Sequence, residues 1–98
     1  MSIELFSMEY PFADAPDTLC FTCTHICNDN KPVLFISHDE DGVWQFLCGN
    51  THSVEEARIV SLYEMVSIRR EVRKFAHLKC GEYAEAIGST GKWSVGKK

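Results

Sequence analysis

Residues 33–50 read VLFISHDEDGVWQFLCGN. Val33-Leu34-Phe35-Ile36 is short, β-branched and aromatic, which suits a buried strand better than a helix of that length. Val43-Trp44-Gln45-Phe46-Leu47-Cys48 repeats the pattern. Between them His38-Asp39-Glu40-Asp41-Gly42 supplies the Asp-Gly pair that lets a chain reverse tightly. In the second run Trp44, Phe46 and Cys48 share one face and Val43, Gln45 and Leu47 the other. Both faces are largely apolar, so the 33–48 hairpin is expected at the centre of the fold, covered on each side.

Working outward, Leu19 to Ile26 is rich in Thr, Phe and Cys and reads as a strand. Asn28-Asn30-Pro32 marks a turn, so this strand is expected to close a second hairpin onto Val33–Ile36 and make a three-stranded antiparallel meander. Residues 1–17, with Pro11 and Pro16, read as an irregular lead-in. Ser53 and Glu56 have capping-box spacing ahead of a short helix. Arg58 to Leu62 reads as a strand. Leu62 to Leu78 is helical, and its two apolar sets, Leu62/Met65/Val66 and Ile68/Val72/Phe75/Ala76, predict two short helices broken near Ser67–Arg69. Gly81 stops the second, Glu82–Ile87 and Lys92–Val95 flank a Gly88–Gly91 turn, and residues 96–98 are expected to fray. The fold class is α+β: a mostly antiparallel sheet with one or two short helices from 62–78 packed on one face.

The totals bound the function. Ninety-eight residues make one domain, and 24% charged residues argue against disorder. No apolar run reaches the ~20 residues of a membrane helix, and Met1-Ser2-Ile3-Glu4 lacks a basic signal region, so a cytoplasmic location with no membrane partner is expected. Five cysteines are an odd number, which favours reduced thiols over a disulfide framework. The net charge of −4 divides unevenly: residues 1–57 hold ten acids against Lys31 alone, or −9, and residues 58–98 hold nine bases against four acids, or +5. The overall sign disfavours nucleic acid.

Cysteine and histidine carry the sharpest chemical signal. Cys20-x2-Cys23 with Cys48-x3-His52 is a four-ligand Cys3His zinc pattern. Against it, a straight strand over 19–26 points Cys20 and Cys23 to opposite faces, and a free cysteine is commonly a small buried hydrophobe. Cys23-Thr24-His25-Ile26-Cys27 can pair a thiol with an imidazole, but the third group and oxyanion site of a nucleophilic centre are not legible. The expectation is therefore no metal, no cofactor and no catalytic residue. Asp39, Glu40 and Asp41 lack the repeat of a calcium loop. They are expected at an exposed hairpin tip, as a contact surface for a partner protein with a basic surface. Trp44 and Trp93 are expected as core or rim aromatics, and Arg69, Arg70, Arg73 and Lys74 as a solvated basic helical face.

SHDEDGVWQFLCG, then IVSL, then FAHLKCGEYAEA and Trp93, together resemble small uncharacterised bacterial domains with an acidic-Gly-x-Trp-x-Phe hairpin, near the immunity-protein families of polymorphic toxin systems. The resemblance covers about residues 23–93 and is mostly structural. The chain departs from that pattern at Arg69-Arg70, at Leu78-Lys79-Cys80-Gly81 and at Ala86, and the pattern carries no catalytic role. It implies a non-catalytic bacterial binding protein of immunity type. The alternative is a small zinc- or thiol-dependent protein using Cys20, Cys23, Cys48 and His52. The pattern leaves the oligomeric state and the partner's identity open.

Overall fold

A computed structural model describes residues 10–49, 54–88 and 90–97. The 33–48 stretch forms β2 (Phe35–His38) and β3 (Trp44–Leu47), paired antiparallel with Ile36 opposite Phe46 and His38 opposite Trp44. The ladder extends one residue past β2, where Leu34 N–H donates to the Leu47 carbonyl at 2.8 Å. Gly42 closes the reversal with φ +91, a conformation that glycine adopts without steric cost.

The strand expected over 19–26 ends early. β1 spans Leu19–Cys23, and the chain turns at once into a short helix, α1 (Thr24–Asn28), with extended Cys23 at its N-cap. Asp29 and Lys31 N–H both donate to the His25 carbonyl, and Asn30 takes a left-handed φ of 57, which asparagine tolerates better than most residues. This detour removes the tight turn that an antiparallel hairpin needs. β1 therefore lies beside β3, in parallel, with Phe21 opposite Gln45. The expected meander is corrected: β1 does not pair with β2.

The outer strands follow their apolar patterns. β4 (Ala57–Ser61) follows a 3-10 turn at Val54–Glu56 and pairs antiparallel with β1. Ser53 of the expected capping box lies outside the described residues. β5 (Glu82–Ile87) and β6 (Lys92–Lys97) complete the order β4-β1-β3-β2-β5-β6. Gly96 and Lys97 pair with Tyr83 and Glu82, so the tail is laddered through Lys97 where fraying was expected.

Between β4 and β5, α2 (Leu62–Ile68) is capped by Ser61, whose hydroxyl accepts from Glu64 N–H at 3.0 Å. It ends at Arg69, whose φ of −135 and ψ of 88 leave the helical region, and a 3-10 helix follows at Arg70–Phe75. The helix is thus broken within the expected interval.

Residues paired across a ladder share a face. One face carries Cys20, Trp44, Phe46, Ile36 and Ala84, all at most 1% exposed. Ile26, Leu62, Met65, Val66, Val72, Phe75 and Leu78 pack over it. Phe12 of the lead-in joins this core edge-on to Trp44, with ring centroids 4.9 Å apart. Trp93 meets Phe75 at 4.6 Å. The opposite face carries Leu19, Phe21, Ile59, Gln45, Leu47, Phe35, Ser37 and Tyr83. No described helix lies on it. The 33–48 hairpin is therefore central in the sheet but, among the described residues, helix-covered on one side only.

Candidate functional site

Three chemical groupings emerge at the ends of the central strands. The first combines β1, α1 and β3. Cys23 ends β1, His25 is the second residue of α1, and Cys48 follows the last residue of β3. Because β1 and β3 run parallel, their carboxyl ends arrive together. The two sulfurs and one His25 ring nitrogen lie within 4.8 Å of one another. Cys48 Sγ is 3.5 Å from His25 Nδ1. The other ring nitrogen, Nε2, is 3.3 Å from the Glu56 carboxylate. The antiparallel β1–β4 register sets Ala57 opposite Cys23 and so brings Glu56 to this end.

One histidine tautomer serves both contacts. A carboxylate only accepts, so a hydrogen on Nε2 serves the Glu56 contact, and in a neutral ring that leaves Nδ1 as the acceptor toward Cys48. Cys23 is 1% exposed and Cys48 4%. Burial pushes the Cys23 thiol up; backbone amides of Ile26 and Cys48 oppose that shift by favouring the thiolate, while the neighbouring Cys48 thiol adds to it.

Of the Cys20, Cys23, Cys48 and His52 pattern, the structure unites Cys23 and Cys48. Cys20 is outside the grouping: it points into the helix-covered core, where burial, reinforced by Cys27 and Glu64, pushes its thiol to about 12. The argument that Cys20 and Cys23 face opposite ways assumed a straight strand over 19–26; β1 ends at Cys23, and both residues are buried in the core cluster. His52 lies outside the described residues. His25, read from sequence only as a partner of its chain neighbours, takes the third place. Its signal was the start of a helix at Thr24, which turns residue 25 back over Cys23.

The second grouping lies at the other end of the β2–β3 hairpin. The His38 ring stacks on Trp44 with centroids 3.9 Å apart and planes at 13°. Its Nδ1 donates to the Leu78 carbonyl at 2.9 Å, and Nε2 faces the exposed Cys80 sulfur at 3.7 Å. Trp44 is buried, and its indole N–H meets no acceptor among the described residues.

The third is the acidic turn. Glu40 and Asp41 are exposed. Asp39 departs from expectation: it is half-buried, accepts from the buried Ser37 hydroxyl, and accepts from Gln45 Nε2 at 2.8 Å. Ser37 and Gln45 both belong to the helix-free sheet face, so Asp39 stands at its margin. On that face Leu19, Phe21 and Ile59 are 64%, 41% and 57% exposed, with Phe21 directly opposite Ile59. Phe35 and Tyr83 stack at 5.9 Å further across. Sequence reading missed this patch because it placed Leu19–Ile26 beside β2 within a covered sheet.

Arg69 is not part of a solvated basic face. Its guanidinium donates to the Lys31 and Ile26 carbonyls and, at 2.9 Å, to Asn30 Oδ1. No pocket forms among the described residues, and no described helix is long and apolar enough to cross a membrane. Comparison with protein-family models, curated proteins and solved structures found no match to this chain.

Proposed function

We propose that this chain is a non-catalytic binding protein of the bacterial immunity type, which docks a partner protein on the helix-free face of its sheet. The observation that carries the reading is the adjoining exposure of Leu19, Phe21 and Ile59. Large apolar side chains grouped on an ordered sheet face, rather than scattered singly, mark interaction surfaces. Acidic groups lie on the same side of the sheet: Asp39 accepts from Gln45, which sits opposite Phe21, exposed Glu40 and Asp41 follow it in the turn, and exposed Glu85 stands further across on β5. A partner with an apolar centre and a basic rim complements that arrangement. The apolar centre supplies affinity, and the acids steer encounter.

The test is co-expression with the products of adjacent genes, followed by calorimetry on any complex. Phe21→Thr/Ile59→Thr should abolish the complex while the chain stays folded. Glu40→Gln/Asp41→Asn should slow association, most at low salt. Unchanged binding in both variants would sink the reading. So would a wild-type homodimer, seen by light scattering, that the apolar-face variant converts to monomer.

A further inference from the structure

We propose that Cys23, His25 and Cys48 form a zinc site, with Glu56 holding the histidine from behind. The site lies at the carboxyl ends of β1 and β3, two residues along β1 from Phe21; its support is the donor geometry at that end, so it does not depend on the function proposed above.

The geometry is the first support. In a tetrahedral zinc site, with Zn–S of about 2.3 Å and Zn–N of about 2.0–2.1 Å, donor atoms are spaced by about 3.5–3.8 Å. The Cys48 Sγ to His25 Nδ1 distance is 3.5 Å, and all three donors lie within 4.8 Å. The three donors thus supply three corners of a tetrahedral site and leave the fourth to another nitrogen or oxygen ligand.

The histidine is the second support. Zinc needs a bare ring nitrogen, and a ligating histidine normally passes its other N–H to a carboxylate. Here Glu56 stands 3.3 Å from Nε2 and, in a neutral ring, leaves Nδ1 as the acceptor toward Cys48. Glu56 thus acts as a positioning residue.

Charge is the third. Two thiolates and a neutral imidazole offset the charge of a divalent ion, so the ligand set itself is neutral, and the remaining charge is the partly exposed Glu56 carboxylate. Thiolate with imidazole favours zinc over magnesium or calcium, which prefer oxygen donors. On loading, two Zn–S bonds and one Zn–N bond form, and the two S–H protons leave to solvent. The separation from Cys20 removes one ligand of the sequence pattern, and His25 replaces it.

The experiment uses the full chain, reduced, with zinc and cobalt(II) as probes. One equivalent of zinc should bind, with two protons released at a pH where both thiols start protonated. Cobalt should give a thiolate charge-transfer band together with the d–d bands of a four-coordinate ion. Cys23→Ser and Cys48→Ser should each weaken that band, and Cys80→Ser should leave it unchanged. Glu56→Gln should lower zinc affinity about 10–100-fold while keeping the charge-transfer band. X-ray absorption of the zinc-loaded wild type needs no variant to fold. It should count two sulfurs, with nitrogen or oxygen completing the shell. A sulfur count other than two, a cobalt spectrum without thiolate charge transfer, or zinc held equally by the Cys23→Ser/Cys48→Ser variant would each overturn the site.

Discussion

At the scale of single residues, Asp39 shows how neighbours alter what an acidic run does. Three adjacent carboxylates read as a solvated tip, because like charges are costly to bury together. Glu40 and Asp41 follow that rule and are exposed. Asp39 instead accepts from Ser37, whose side chain is fully buried, and from Gln45. Removing the acceptor takes a hydrogen bond to a charged group from both a buried hydroxyl and Gln45, and such bonds are worth more than ordinary ones. Asp39→Ala is therefore expected to lower stability by about 1–3 kcal/mol, with Asp39→Asn intermediate because its carbonyl still accepts. Glu40→Gln should shift it by under about 0.5 kcal/mol. Urea melts of the three variants give the comparison, and equal costs at Asp39 and Glu40 would refute it. The contrast also separates roles within the turn: Asp39 ties it to the sheet, Asp41 accepts from Val43 N–H within it, and both Glu40 and Asp41 stay exposed.

At the scale of elements, the junction at Arg69 ties together segments distant in sequence. Its guanidinium reaches Ile26 in the middle of α1 and Asn30 and Lys31 in the loop toward β2. That loop replaces the hairpin turn and lets β1 lie parallel to β3. Arg69→Ala should cost about 1–3 kcal/mol, from the loss of several charge-assisted hydrogen bonds. Lysine should restore only part, since an ammonium cannot span the fork of acceptors. Amide exchange should quicken at residues 26–31 before the central strands respond; uniform quickening would argue against a local clamp. The same junction explains what the sequence disclosed. The 33–48 hairpin, β4, the break at Arg69 and the β5–β6 pair were legible, because each rests on local periodicity or turn chemistry. The neighbour of β1 was not, since apolar alternation specifies a strand without naming its partner. The zinc-like grouping failed for the same cause. Cys23 and Cys48 stood out by type, but only the parallel register brings them together, and only the turn into α1 adds His25.

At the scale of the whole molecule, the sheet divides stability from recognition. One face lies under α1, α2 and the 3-10 helix and contains the fully buried Ile36, Phe46, Leu62 and Val66. The other carries Phe21 and Ile59 with much of their surface open. Burial sets the cost of truncation, through lost transfer energy and the cavity left behind. Phe46→Ala is expected to cost about 3–5 kcal/mol and Ile36→Ala about 2–5 kcal/mol. Phe21→Thr/Ile59→Thr puts β-branched threonine into β1 and β4 and removes two side chains that are 41% and 57% exposed. The pair should cost under about 1.5 kcal/mol together, the larger share from half-buried Phe21. Parallel urea melts would measure this difference without any knowledge of the partner. If the surface pair destabilises as strongly as Phe46→Ala, Phe21 and Ile59 are covered in solution and belong to the fold. If it costs little, two large apolar side chains stand exposed without a structural need, and recognition is what accounts for them.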